Sequence, residues 1–228
     1  MTDEADKKDD TKKEFNPAFI NAKVNRAKKG KPEEHGSHDS AHSAHNRLPP
    51  GQTLTERWPI LDLGVRPKID LKNWRLEISG LVENPVTLTW EDFMRLPQAL
   101  VTADMHCVTT WSKFDNGWLG VKFLDLVKLV RPKPEAKFII QYGYDGYTTN
   151  APLADFMKDN VLVAHSHDGA PLQPEHGGPA RMIIPELYAW KGSKFIKKLE
   201  FVGADQPGFW EVRGYNNHGD PWTEERYS

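Results

Sequence analysis

The distribution of tryptophan shows where this chain can build a hydrophobic core. All eight tryptophans lie at or after Trp58, whereas residues 1–50 hold only two aromatic residues, Phe15 and Phe19, among 19 charged residues and four histidines. A segment with so little apolar surface cannot offset the entropy lost on ordering, so we expect residues 1–50 to form a disordered arm. Residues 51–228 are then predicted to form a single domain, since this length is within the usual range.

The four histidines of the arm recur every three or four residues. On a helix this spacing would place His35, His38, His42 and His45 along one face, where they could hold a transition metal. A Gly/Ser/Ala/His tract is more often simply solvated, and we favour that interpretation.

Charge and cysteine content narrow the possible partners and compartment. The chain has 30 Lys and Arg against 32 Asp and Glu, a net charge of −2, which argues against a polyanionic partner such as nucleic acid. It has no apolar run of the ~18 residues that a membrane span needs, no secretory signal and no Arg-Arg pair, so we expect a cytoplasmic protein. A single cysteine, Cys107, excludes an intrachain disulfide and fits a reducing compartment.

Short strands and short helices follow one another irregularly along the domain. The segments NWRLEISG, KFIIQY, VLVAHS, ARMII and KFIKKLEFVG predict strands. A capping box between Thr89 and Asp92 predicts a short helix that Pro97 ends, and VKFLDLVKLV carries apolar residues at helical spacing before Pro132. Without a regular strand–helix repeat, the pattern favours an α+β fold with mixed β-sheets and short scattered helices over a doubly wound sheet.

Cys107 follows an alternating strand, in VTADMHC, and precedes a Thr/Ser-rich loop. The residues alone leave three interpretations open: a small buried apolar side chain, a nucleophile or a metal ligand. A cysteine hydrolase would need a histidine base, for which His165, His167 and His176 are the candidates.

Residues 176–196, HGGPARMIIPELYAWKGSKFI, have the composition of an anion site. Two glycines free the backbone to present N–H groups, and Arg181, Lys191 and Lys194 add donors that suit a phosphate. The same cations could be ordinary solvated charges at strand edges. Because the chain has neither a Walker loop nor a GxGxxG motif, the usual nucleotide-binding folds are not indicated. A non-catalytic module that binds an anion or a metal stays an alternative.

Seven motifs in order carry a resemblance that extends over residues 55–228. They are GLVENPVTLTWEDFMRLPQ, TADMHCVTTWS, GWLGVKFLDLVKLV, DGYTTNAPLADF, HGGPAR, YAWKGSK and GFWEVRGYNNHGDPW. Together they resemble the molybdopterin-binding domain of the sulfite oxidase family, and most of all its small bacterial single-domain members. The resemblance implies the fold of that domain, a pyranopterin dithiolene cofactor carrying molybdenum, and an oxidoreductase that transfers an oxygen atom.

The resemblance also implies roles for single residues. Cys107 matches the cysteine whose thiolate ligates the metal. His176, Arg181 and Lys194 match positions that hold the pterin and its phosphate, and Ser193 would add backbone or hydroxyl contacts.

Two further residues are expected on the catalytic side. Tyr215 has the place of a family tyrosine beside the metal, where its hydroxyl could donate a proton or a hydrogen bond to the transferred oxygen. Arg213, two residues earlier, could attract an oxyanion.

Departures from the family affect the expected substrate. Eukaryotic sulfite oxidases have an arginine where this chain has Ser112, and another near Leu61, for which Arg57 and Arg66 are the possible substitutes. The absence of these two cations counts against sulfite oxidation. Reduction of an S-oxide or an N-oxide is the other activity that we expect. The sequence also has no haem-binding domain, so a separate electron-transfer protein is expected.

Overall fold

The computed structural model describes residues 15–29 and 47–227. The histidine tract between His35 and His45 lies outside these residues. Four α-helices are present in the described part: α1 Pro17–Lys29, α2 Trp90–Arg95, α3 Phe123–Val130 and α4 Leu153–Phe156. Three 3-10 helices cover Pro174–His176, Ala189–Lys191 and Glu211–Arg213. Among the described helices, none is long and apolar enough to cross a membrane.

Eleven strands make up the two sheets of the described chain. They are β1 Thr53–Leu54, β2 Arg75–Gly80, β3 Val86–Thr89, β4 Ala99–Cys107, β5 Trp111–Lys122, β6 Phe138–Gly143, β7 Thr148–Pro152, β8 Leu162–His167, β9 Ala170–Pro171, β10 Arg181–Ile183 and β11 Ile196–Val202.

Both sheets mix parallel and antiparallel pairs. One has the order β1-β5-β8-β10, with β4 paired to β5 and β9 to β8, and the other has the order β3-β2-β11-β6-β7. The pairs β1–β5 and β2–β11 are parallel, and the remaining ladders are antiparallel. The predicted α+β class is therefore confirmed.

Local sequence signals account for several of these elements. The predicted capping box is present, because Thr89 Oγ1 accepts from the Asp92 backbone N–H at 3.1 Å and the Asp92 carboxylate accepts from the Thr89 N–H at 3.1 Å. Helix α3 buries Phe123, Leu126 and Val130, as its apolar spacing predicts.

The larger apolar cluster joins the two sheets. It contains Leu76 and Ile78 of β2, Val163 of β8 and Phe201 of β11, all at most 1% exposed. The same cluster contains Met182 of β10, the strand that begins at Arg181.

Residues 15–29 differ from the expected disordered arm. Asn16 caps α1 by accepting from the Ala18 N–H at 3.0 Å, and the helix begins at Pro17, a favoured first position. Ile20 is only 4% exposed and packs in the cluster that also contains Cys107. The prediction did not consider that a few well-spaced apolar residues can order a segment when the domain already offers an apolar surface on which they can pack.

Candidate active site

A second cluster, rich in aromatic residues, surrounds a cavity of about 170 Å³ at the end of β4. Its wall includes Trp58, Trp111, Trp190, Trp210 and Tyr215, together with Cys107. Aromatic walls of this kind bind flat ring systems and leave a few polar groups to fix their orientation.

Cys107 reaches the cavity because β4 and β5 form a tight hairpin. Cys107 pairs with Trp111 across the hairpin, and the Thr110 N–H closes the turn by donating to the Cys107 carbonyl at 3.1 Å. The expected Thr/Ser-rich loop is therefore a short turn, and β5 begins at Trp111. The Cys107 Sγ lies 3.1 Å from the hydroxyl of Thr109, and burial raises the pKa of the thiol. A soft metal could bind here only with loss of the thiol proton.

Tyr215 also lines the cavity and is 4% exposed. Its ring stacks on Trp210 with centroids 4.9 Å apart and meets Trp190 edge-on at 5.1 Å. Its ring also meets that of Tyr227 edge-on with centroids 5.2 Å apart, and burial raises the pKa of its hydroxyl far above the usual value. The phenol is therefore protonated at neutral pH and can act as a donor.

Arg181 and Lys194 bring positive charge to the same cavity. Arg181 is 3% exposed, and burial lowers its pKa to about 10. Lys194 donates to the Glu175 carbonyl at 2.6 Å, and burial, followed by repulsion from Arg181, lowers its pKa to about 7. Two desolvated cations side by side favour an anionic ligand.

His176 lies behind the cavity wall. Its ring stacks on Trp58 with centroids 3.7 Å apart, and burial, with Lys194 as a further cause, lowers its pKa to about 4. Its carbonyl accepts from Arg181 Nη1 at 3.0 Å. Gly177 follows with a φ of +101°, and a Cβ there would lie 2.8 Å from the Lys194 side chain, so the glycine allows the lysine to pass.

Lys191 and Ser193 do not face the cavity, contrary to the expected cofactor contacts. Lys191 is fully buried and donates to Glu211, Asn150 and the Asn217 carbonyl at 2.7, 3.0 and 2.8 Å. An ammonium has three donors, so none remains for a ligand. The Ser193 hydroxyl donates to the Lys194 carbonyl at 3.0 Å, and its N–H donates to a Gln141 side chain at 2.9 Å.

Arg213, which was expected to attract an oxyanion, is likewise not among the residues that line the cavity. Its guanidinium lies 3.8 Å above the Phe209 ring, and Nη1 donates to the Phe209 carbonyl at 2.6 Å. The short 3-10 helix Glu211–Arg213 turns the side chain away before the chain returns to Tyr215.

The geometry does not support a cysteine hydrolase. The imidazole of His165 bonds to Gln98 at 3.1 Å and that of His167 to Asn116 at 2.9 Å, while His176 stacks on Trp58. In the described chain, no histidine lies within hydrogen-bonding distance of Cys107 Sγ, and a thiol whose pKa is raised is not an activated nucleophile.

The two positions where eukaryotic relatives carry arginine have different surroundings here. Ser112 is fully buried on β5 and bonds to the His106 ring at 2.8 Å. Leu61 lines the cavity. Neither possible substitute does so: Arg66 pairs with Asp62 at 2.7 Å, and Arg57 is exposed.

Several wall residues were not anticipated. Trp58, Trp190 and Trp210 could have been suspected from the density of tryptophan in polar segments. Asp145, whose pKa burial raises to about 6, and Lys23 on α1 gave no such signal, because only the fold brings them to the cavity.

The donor set fits a phosphate-bearing pterin with a thiolate-bound metal. Arg181 Nε is one of the buried side-chain atoms of the described chain that have no hydrogen-bond partner, which suits a ligand rich in acceptors. Cys107 offers a soft ligand at one part of the wall, and Arg181 and Lys194 offer cations at another.

Comparison with known proteins decides the family. The model of the oxidoreductase molybdopterin-binding domain matches residues 63–210. This chain belongs to that family. The expected molybdenum-cofactor-dependent oxidoreductase of the oxygen-atom-transfer class is thus confirmed, and the hydrolase and the non-catalytic module are set aside.

Individual relatives agree with this assignment. The chain is 42% identical over 183 residues to the uncharacterized oxidoreductase YuiH of Bacillus subtilis, covering 80% of this chain and 92% of that protein. It is 28% identical to the protein-methionine-sulfoxide reductase catalytic subunit MsrP of Campylobacter jejuni, covering 65% of this chain and 55% of that subunit.

A solved structure shows the fold. The sulfane dehydrogenase SoxCD from Paracoccus pantotrophus superposes with a TM-score of 0.59 at 24% identity, over 69% of this chain and 46% of that chain. The expected fold of the sulfite oxidase molybdopterin domain is therefore confirmed.

Proposed function

We propose that this oxidoreductase reduces small neutral S-oxides or N-oxides. The observation that carries the proposal is that both positions where eukaryotic sulfite oxidases carry arginine are uncharged here: Leu61 lines the wall, and the Ser112 hydroxyl bonds to the His106 ring. An oxyanion such as sulfite would need cations near the metal ligand, whereas a neutral S-oxide needs an apolar wall and one hydrogen-bond donor.

The bound cofactor supplies a metal centre that exchanges an oxygen atom and two electrons with the substrate. Cys107 would hold that centre as a thiolate, with Thr109 donating a hydrogen bond to the sulfur. Tyr215, protonated because burial raises its pKa, would donate to the substrate oxygen. Reduction of an S-oxide to a sulfide and water consumes two electrons and two protons, so two protons must be delivered to the substrate oxygen in the cavity.

Arg181 and Lys194 would hold the pterin phosphate instead of the substrate. Their cationic groups lie on the cavity wall, and the unpartnered Nε of Arg181 is available to an anionic oxygen. This division leaves the aromatic part of the wall to the substrate.

The electrons would come from a separate redox protein. MsrP is named a catalytic subunit, which supports this part of the proposal. We also propose a cytoplasmic location, because a single cysteine fits a reducing compartment; cell fractionation with an antibody against the chain would test it.

Activity assays on the holoenzyme test the substrate. Methyl sulfoxides and amine N-oxides with a dye electron donor should turn over, and sulfite with a dye acceptor should turn over poorly. Leu61→Arg should weaken S-oxide reduction and improve sulfite binding, while Leu71→Arg, at an exposed position outside the wall, should change neither. Efficient sulfite oxidation by the unaltered enzyme would refute the proposal.

A further inference from the structure

Helix α1 lies outside the stretch that matches the family but contributes to the cavity. The family match begins at residue 63, whereas α1 spans Pro17–Lys29. Lys23 of this helix lines the cavity together with Arg181 and Lys194. A third cationic side chain therefore reaches the site from an element that the family match does not include.

The position of α1 is fixed by packing on both sides of Lys23. Ile20 is buried against the aromatic cluster, and Phe15 meets Phe209 edge-on with centroids 4.9 Å apart. A Cβ at Gly64 would lie 3.3 Å from the Phe19 ring, so the chain leaves room for the helix at that point. Burial of Ile20 therefore contributes to holding this short helix on the domain.

Lys23 lies on the same cavity wall as Arg181 and Lys194, and its Nζ is 4.6 Å from the centroid of the Phe19 ring. Its Nζ donates to the Asp62 carbonyl, which leaves two of three donors for a ligand. Burial lowers its pKa, while the Asp62 carboxylate and Cys107 act in the opposite direction. Lys23 in turn is one of the cations that lower the pKa of Lys194. An anion bound between the ammonium groups of Lys23 and Lys194 would reduce the repulsion between them.

We propose that Lys23 is a further ligand of the cofactor phosphate and that α1 thereby retains the cofactor in its pocket. The ligand expected from this chemistry is a phosphate monoester, because a dianion matches several converging N–H donors. This inference rests on the cofactor of the family and not on the substrate proposed above, so either can fail alone.

The test compares full-length holoenzymes that differ at one lysine. Lys23→Ala removes the charge, Lys23→Arg keeps it, and Lys68→Ala removes a charge from an exposed residue outside the wall. The measurement is the rate at which pterin is lost on dilution at constant temperature, read by the fluorescence of oxidised pterin. Loss of one charge-assisted hydrogen bond should speed release on the order of tenfold for Lys23→Ala, and the other two variants should stay near wild type.

A second measurement uses cofactor-free protein and inorganic phosphate, with melting temperature as the readout. Phosphate should stabilise wild type and Lys68→Ala more than Lys23→Ala. If Lys23→Ala loses pterin at the wild-type rate and phosphate raises its melting temperature as much as it raises that of wild type, the proposal is overturned. So would a change confined to the KM of an anionic substrate, which would make Lys23 a substrate residue.

Discussion

Replacement of Lys191 tests whether this residue belongs to the fold or to the cofactor site. Its ammonium is fully buried and donates to Glu211 at 2.7 Å, and the same Glu211 oxygen accepts from Thr149 at 2.9 Å and from the Trp190 indole at 3.1 Å. Lys191→Met fills the volume but leaves the Glu211 carboxylate buried without its counter-charge.

The expected cost follows from that uncompensated charge. Breaking a buried ion pair by removing one partner costs about 3–5 kcal/mol. For a chain of this size each kcal/mol lowers the melting temperature by about 2–4 °C, so Lys191→Met should melt about 6–20 °C lower. Lys191→Met combined with Glu211→Gln removes the stranded charge and should recover a large part of the loss.

Urea unfolding of cofactor-free protein, followed by tryptophan fluorescence, gives the free energy of unfolding for each variant. Lys197→Met, at an exposed position of β11, is the matched control and should lie within about 0.5 kcal/mol of wild type. Pterin content per folded chain should be unchanged in Lys191→Met. A variant with wild-type stability and little pterin would show that Lys191 binds the cofactor and that the reasoning is wrong.

Four further predictions concern the cavity and α1. Cys107→Ser should fold but hold no competent metal centre, because serine is a hard, weak ligand; metal analysis and turnover check this, and full molybdenum-dependent turnover would contradict it. Tyr215→Phe should lower turnover per bound molybdenum by about 10²-fold, whereas Arg181→Ala should first lower pterin content; the reverse pattern would exchange their roles. Sulfate, whose charge is constant, should bind cofactor-free protein more weakly as the pH rises from 6 to 9, because Lys194, with a pKa of about 7, loses its proton. Calorimetry should show that this pH dependence of sulfate affinity is largely abolished in Lys194→Met. An unchanged pH dependence in that variant would refute the assignment of Lys194 to the anion site. Deletion of residues 1–29 should lower the melting temperature by about 4–8 °C, since burial of Ile20 contributes about 2 kcal/mol, whereas deletion of residues 1–14 should not; equal melting of both forms would show that α1 adds no stability.

Local sequence patterns determined part of the secondary structure. The capping box at Thr89 and the spacing of Phe123, Leu126 and Val130 act within one or two turns of helix, so neighbouring residues suffice to predict α2 and α3. The ordered motifs likewise identified the family and pointed to Cys107, Arg181, Lys194 and Tyr215, all of which line the cavity.

Tertiary structure alone decided which charges reach that cavity. Lys191 and Lys194 are three residues apart in a segment that suggested phosphate binding for both, but Lys191 points to a buried glutamate and Lys194 to the site. Arg213 was placed near Tyr215 by sequence, and a 3-10 turn directs it to Phe209 instead. Lys23 is far from the site along the chain and reaches it only because α1 packs on the aromatic cluster. The orientation of a charged side chain depends on the groups that bury it and pair with it. Because those groups come from segments far away in the sequence, local residue spacing does not predict which charged residue reaches the site.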